Sequence, residues 1–202
     1  DVLITQPFQG RNVSNESLYT GNFYEEMLKT SPQAKLYIYQ QWCKPTESPN
    51  APWELGYFRR SPWGPDKGQP DGPKATTWIG GIENHTRYYQ ILRDELLKRF
   101  PGKDIRIIPV GPAMVKLKQR IEAGTVTGIN DFFSCVFADG IHVNPRGQYL
   151  AGLVHAAMFY EQSPAGCANI AGAGLTPEQM RIFQEVAWEA VLETLHINKK
   201  GE

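Results

Sequence analysis

The chain has 202 residues, 41% of them hydrophobic, which is typical of one globular domain with its own core. Its formal net charge is zero and its pI is about 7.1, so it lacks the basic excess that binds nucleic acids or anionic membranes. No apolar run approaches the roughly 20 residues needed to span a bilayer. We therefore expect no nucleic-acid partner and no membrane span.

Strands and helices alternate along the chain. Short runs rich in Ile, Val, Leu or Tyr predict buried strands at 2–8, 35–42 and 104–110. Apolar residues at helical spacing predict a helix before Ser31 and another that ends near Phe100. Further helices are predicted at 112–123, from Asn144-Pro145 onward and from Thr176-Pro177 onward. This alternation predicts an α/β fold with a parallel sheet.

The start of the chain makes this sheet look incomplete. The first residue is Asp1, and an apolar strand pattern follows at once, as in a chain entered midway. Three parallel strands form a thin sheet, in which the strand at 2–8 is either an exposed edge or the partner of strands not present here.

Residues 43–81 form a Pro-, Gly- and Trp-rich insertion that is too long for a plain connection. The rings of Trp53, Trp63 and Trp78 suit stacking on sugars, and they would equally anchor the segment to the body of the domain.

Two separate features bear on metals and on export. The cysteines Cys43, Cys135 and Cys167 show no CxxC spacing, and the four histidines show no HExxH spacing, so we predict no metal site. We expect no organic cofactor either. The disulfide state stays open. Sequons at Asn12, Asn15 and Asn84 indicate secretion if the source is a eukaryote, and we favour a secreted or periplasmic location.

The segment FADGIHVNPRGQ places Asp139 three residues before His142. An aspartate at this spacing can turn back and accept the Nδ1 hydrogen of the imidazole, which leaves Nε2 free to take a proton from a serine hydroxyl. The alternative is an aspartate that caps a turn beside a surface histidine. Among the other histidines, we expect His155 to pack in a helix and His85 and His196 to be solvated.

The run DGIHVNPRGQYLA, residues 139–151, resembles the closing block of the SGNH (GDSL-like) hydrolases. The strand with Gln6, the segment 37–42, the segment IPVGPA at 108–113 and SPAG at 163–166 resemble the bacterial subgroup with a GNS-type nucleophile motif. The resemblance covers most of the chain, and it implies a single SGNH-hydrolase-like domain over 1–202. The implied fold is a three-layer α/β/α, flavodoxin-like parallel sheet.

The same resemblance implies a serine esterase or acetylesterase with a Ser/Asp/His catalytic triad that acts on a small-molecule or glycan ester. His142 would be the general base and Asp139 its orienting carboxylate. Gln6 stands where the family has its oxyanion asparagine, and Asn130 lies in a GxND motif placed later than the family has it. No GDS, GNS or GxSxG motif occurs, so the serine would come from an upstream segment or a second chain.

Two alternatives stay open. The chain could be a non-catalytic glycan-binding or assembly module that retains the SGNH fold. A local serine, Ser14 or Ser134, could also replace the missing nucleophile.

Overall fold

The computed structural model of the protein describes residues 1–7, 13–43 and 77–199. These ranges contain three strands and six helices: β1 (Val2–Thr5), α1 (Val13–Thr30), β2 (Lys35–Gln40), α2 (Trp78–Arg99), β3 (Ile105–Pro109), α3 (Val110–Glu122), α4 (Phe132–Val136), α5 (Pro145–Tyr160) and α6 (Pro177–Lys199).

The strands form one parallel sheet in the order β1-β2-β3. Val2 lies beside Lys35 in the first pairing, and Leu36 lies beside Ile105 in the second. The predicted α/β class and parallel sheet are confirmed, although each strand is shorter than predicted. Helix α3 begins at Val110, directly after β3, so Val110 belongs to the helix and not to the strand predicted at 104–110.

The side chains of the central strand β2 alternate between two apolar clusters. Leu36 and Ile38 belong to one cluster, whereas Tyr37 belongs to the other. The first cluster includes Tyr24 of α1 and Leu92 and Leu96 of α2; the second includes Met114 of α3, Leu153 of α5 and Phe183 of α6. Because neighbouring strand residues point to opposite faces, apolar side chains cover both faces of the sheet.

Strand β1 forms an open edge, since within the described ranges it pairs with β2 alone. Its Leu3 packs against the first cluster, whereas Val2 and Ile4 are 47% and 46% exposed. Nearby in sequence, α1 exposes Leu18, Tyr19 and Phe23. Half-exposed apolar residues on an edge strand are the feature that natural sheets usually cover.

Side-chain caps fix the starts of α5 and α6. Asn144 caps α5, with Pro145 in the first turn as predicted. Before α6, Thr176 Oγ1 accepts from the backbone N–H of Gln179, and the side-chain Oε1 of Gln179 accepts from the backbone N–H of Thr176. This reciprocal capping box explains why that helix begins at Pro177. The sequence did not predict α4, a single turn of five residues.

Helix α2 corrects one expectation. It begins at Trp78, well before Tyr88, where the apolar pattern that predicted it begins. The inner face of this added part carries Asn84 and His85. Both side chains are buried, so His85 is not solvated as expected, and the amide of Asn84 is not available as a sequon acceptor in this fold. Across the described residues, no helix is both long and apolar enough to cross a membrane.

Candidate functional site

A short loop between α4 and α5 carries the predicted Asp139 and His142. Phe137 and Val143 form an antiparallel bridge at its ends, and the backbone N–H of Ala138 donates to the carbonyl of His142 over 2.8 Å. We call residues 137–143 the base loop. Because its two ends are hydrogen-bonded to each other, the residues between them form a closed turn.

Asn144 joins the base loop to both flanking helices. Its Oδ1 accepts from the backbone N–H groups of Arg146 at 2.9 Å and Gly147 at 3.2 Å, which satisfies two free donors at the start of α5. Its Nδ2 donates to the carbonyls of Cys135 at 2.9 Å and Phe137 at 3.3 Å. One side chain thus caps α5 and ties the end of α4 to the same point.

The carboxylate of Asp139 makes three hydrogen bonds to two residues. Its Oδ1 accepts from the backbone N–H of Ile141 at 2.8 Å and of His142 at 2.7 Å, whereas its Oδ2 lies 2.7 Å from Nδ1 of His142. The predicted geometry, an aspartate turned back onto Nδ1, is present. Nε2 of His142 makes no hydrogen bond within the described part of the chain, and the side chain is 78% exposed.

These hydrogen bonds also stabilise the ionised form of Asp139. Donation from the backbone of His142, then from its ring and from the backbone of Ile141, lowers the pKa of Asp139 to about 2. Asp139 is therefore ionised at neutral pH, and as an acceptor it favours the tautomer in which His142 carries its hydrogen on Nδ1. That tautomer leaves Nε2 with a lone pair that can accept a proton.

The carboxyl ends of β1 and β2 lie close to each other and connect to the base loop. Gln6 is the first residue after β1, and its Nε2 donates to Oε1 of Gln41, the first residue after β2. The next residue, Trp42, donates from its indole Nε1 to the carbonyl of Ile141 over 2.7 Å. This edge of a parallel sheet is where ligands bind in open α/β folds.

The two candidate oxyanion residues have different surroundings. Gln6 is exposed at the carboxyl end of the sheet, as predicted, and its amide is hydrogen-bonded to Gln41. Asn130 is exposed in the turn before α4, where its neighbour Asp131 caps the helix by accepting from the backbone N–H of Ser134 at 2.7 Å. The GxND motif thus has a local structural explanation, and an oxyanion role stays a prediction for both residues.

The three tryptophans of the long insertion do not form a described surface. Trp53 and Trp63 lie outside the described residues. Trp78 is fully buried; its Nε1 donates to the carbonyl of Cys43 over 2.9 Å, and its ring packs against Phe132. In this structure Trp78 therefore has no exposed face for a sugar, and the anchoring interpretation accounts for it.

Neither local serine is hydrogen-bonded to His142 in the described part of the chain. Ser14 lies in the first turn of α1 and Ser134 lies in α4, and no hydrogen bond joins either of them to His142 in the described structure. His155 packs in α5 against Tyr39, with ring centroids 4.8 Å apart, as expected for a structural histidine. Within the described residues, no group of three His, Cys, Asp or Glu side chains is placed to hold a metal ion.

Sequence reasoning missed three residues that shape the site: Trp42, Gln41 and Gly147. A Cβ at position 147 would clash with the carbonyl oxygen of Val136 and lie 2.7 Å from the Cβ of Val143, so only glycine fits where α5 meets the base loop. The spacing DxxHxNPxG contained a signal for Gly147, because a glycine in the first turn of a helix suggests close approach. Trp42 had no such signal, since its partner is 99 residues away.

Comparisons with known proteins bear on the fold alone. No protein-family model matches the chain, and no curated protein matches it by sequence. The structure is similar to the crystal structure of a DUF4886 family protein from Bacteroides uniformis, with a TM-score of 0.58 and 15% sequence identity. The match covers 95% of this chain and 62% of that chain, so this chain spans less than two thirds of its structural neighbour. What the comparison supports is a fold shared with a longer protein.

Proposed function

We propose that this chain supplies the general-base half of an SGNH-type serine ester hydrolase, with the nucleophilic serine outside the 202 residues. The observation that carries the proposal is the 2.7 Å contact between Nδ1 of His142 and Oδ2 of Asp139, with Nε2 accessible. A parallel sheet with apolar clusters on both faces is compatible with the three-layer α/β/α fold that the resemblance implies.

In the proposed reaction, Nε2 of His142 takes the hydroxyl proton of the serine while the serine oxygen attacks the ester carbonyl carbon. The tetrahedral intermediate expels the alcohol, which receives that proton, and an acyl-serine remains. Water then attacks the acyl carbon with His142 again as base, and the carboxylic acid leaves. Asp139 stays ionised and stabilises the imidazolium, while Gln6 or Asn130 would donate to the oxyanion.

The open side of β1 is where we propose that the nucleophile segment binds. A further parallel strand there would end at the same edge of the sheet as β1 and β2, next to Gln6. It would also cover Val2 and Ile4, which are half exposed. The structural neighbour supports this occupant, because its chain carries residues beyond the matched part. We therefore propose that the strand belongs to the same polypeptide.

The competing candidate is a glycan-binding or assembly module without hydrolysis. It predicts glycan binding that weakens in a Trp63→Ala variant, with no hydrolysis to lose. The burial of Trp78 removes one of its three proposed stacking rings.

The proposal is tested on the protein expressed from its full reading frame with a fluorophosphonate probe. We expect the probe to label one serine that precedes Asp1, and His142→Ala to reduce labelling at least about a thousandfold. His196→Ala is the matched control, because His196 is an exposed histidine on α6 and should label like the wild type. A reading frame without such a serine would overturn the proposal, and so would wild-type labelling in the His142→Ala variant. Labelling of Ser14 or Ser134 would move the nucleophile into this chain.

A further inference from the structure

The Asp139 and His142 pair is built by hydrogen bonds inside the base loop itself. The three bonds to Asp139 join residues two or three positions apart, and the bond from Ala138 to His142 closes the turn. These contacts define how the imidazole lies relative to its own carboxylate. They do not define where the pair lies relative to the sheet.

Trp42 makes a hydrogen bond that connects the base loop directly to the end of β2. Its half-buried indole follows β2 by two residues, and its Nε1 donates to the carbonyl of Ile141, next to His142. The ring meets Phe137 edge-on, with centroids 6.3 Å apart, and Tyr39 of β2, with centroids 6.5 Å apart. A single side chain thus touches the central strand, the base of the loop and the backbone beside the histidine.

The backbone of Ile141 is held from two directions. Its N–H donates to Asp139 within the loop, and its carbonyl accepts from Trp42 outside the loop. Loss of the first bond would disrupt the pair itself. Loss of the second would leave the pair intact but remove the hydrogen bond that anchors it to the carboxyl end of β2.

From this arrangement we propose that Trp42 is a positioning residue, which places the Asp139 and His142 pair against the carboxyl end of the sheet without helping to form it. Its catalytic consequence rests on the proposed function, because a base acts only when its Nε2 lies within hydrogen-bond reach of the serine. Displacement of about 1 Å costs on the order of a hundredfold in rate.

The test uses Trp42→Phe, which keeps an aromatic ring and removes the N–H donor. Trp188→Phe on α6 is the matched control, because Trp188 is also partly buried against the second cluster but makes no described contact with the base loop. Backbone ¹⁵N relaxation of residues 139–142 reports loop motion, and the Nδ1 proton of His142 reports the pair.

In Trp42→Phe we expect the loop to move more than α5 while the Nδ1 proton signal persists, and in Trp188→Phe we expect neither change. In the full-length protein, fluorophosphonate labelling should fall roughly ten- to a hundredfold for Trp42→Phe, at unchanged pH dependence, and stay at the wild-type rate for Trp188→Phe. Unchanged loop relaxation in Trp42→Phe would overturn the proposal, and so would loss of the Nδ1 signal. Absence of labelling in the wild type would overturn the proposed function instead, and the relaxation data would then decide the anchoring alone.

Discussion

Gly147 is the position where a single methyl group tests the packing of α5 against the base loop. An added Cβ would clash with the carbonyl oxygen of Val136 and would lie 2.7 Å from the Cβ of Val143. The first atom accepts the hydrogen bond from the backbone N–H of Asn144, and the second belongs to the bridge that closes the loop. Gly147→Ala should therefore push α5 away from both ends of the loop.

The expected cost combines two opposing contributions. Alanine in place of glycine stabilises a helix by about 0.5–1 kcal/mol, and an extra carbon forced into a packed site costs about 1–3 kcal/mol. We expect a net loss of about 1–2 kcal/mol for Gly147→Ala. Gly152→Ala is the matched control in the same helix, because a Cβ there meets nothing within 4 Å. It should gain about 0.5–1 kcal/mol.

Urea unfolding of both variants beside the wild type measures these free energies of unfolding. In thermal unfolding, Gly147→Ala should melt a few degrees below the wild type and Gly152→Ala slightly above it, since about 1 kcal/mol corresponds to roughly 2–4 °C at this size. If Gly147→Ala were as stable as Gly152→Ala, the close approach of α5 to the loop would not exist, and the reasoning would be refuted.

The remaining predictions concern Asn144, His85 and Asp139. Asn144→Ala should lower the free energy of unfolding in urea by about 2 kcal/mol, because it removes a helix cap and two hydrogen bonds to carbonyls. Asn130→Ala, the control, should change stability by less than about 0.5 kcal/mol. Equal effects would contradict the capping role of Asn144. Burial lowers the pKa of His85 from 6.5 to about 4. As the pH falls, His85 therefore takes up its proton at a higher pH in the unfolded chain than in the folded one, which favours unfolding. Stability should thus be full above pH 6.5 and fall by about 2 kcal/mol between pH 7 and 5, a loss that His85→Gln should abolish. The pKa of Asp139 is about 2, against an ordinary 3.8. The contact of ionised Asp139 with His142 is therefore fully formed above pH 4 and is lost as the pH falls through 2. The ¹³C shift of the Asp139 carboxyl group measures this titration. In the full-length protein, the proposed function predicts that Asp139→Asn slows labelling on the order of 10⁴-fold, and a wild-type rate would exclude Asp139 as the orienting carboxylate.

Local patterns predicted the parts of this structure that depend on neighbours in sequence. The three strands and their parallel arrangement followed from short apolar runs between helical patterns, and the cap of α5 followed from Asn144-Pro145. The turn of Asp139 onto His142 followed from a spacing of three residues. The cap and the turn join residues that stand within a few positions of each other, and each strand was recognised from its own apolar run, so the sequence alone contains this information.

The parts that sequence reasoning missed depend on contacts between distant segments. Trp42 gains its role from a carbonyl 99 residues away, and Trp78 is buried because Phe132 packs against its ring. The burial of His85 results from the early start of α2 at Trp78, which the apolar pattern around Tyr88 did not show. Composition and spacing carry no direct record of such packing.

The local construction of the base loop also has a consequence for folding. Its hydrogen bonds close over two to four residues, whereas the sheet needs Leu36 to meet Ile105, and short loops close far sooner than long ones. A chain that has not assembled its sheet can therefore already hold Asp139 against His142. A native-like histidine signal is then no measure of native tertiary structure in a preparation of this protein. The indole N–H of Trp42, which is bonded only when the two distant segments have met, is the more faithful reporter of the folded state.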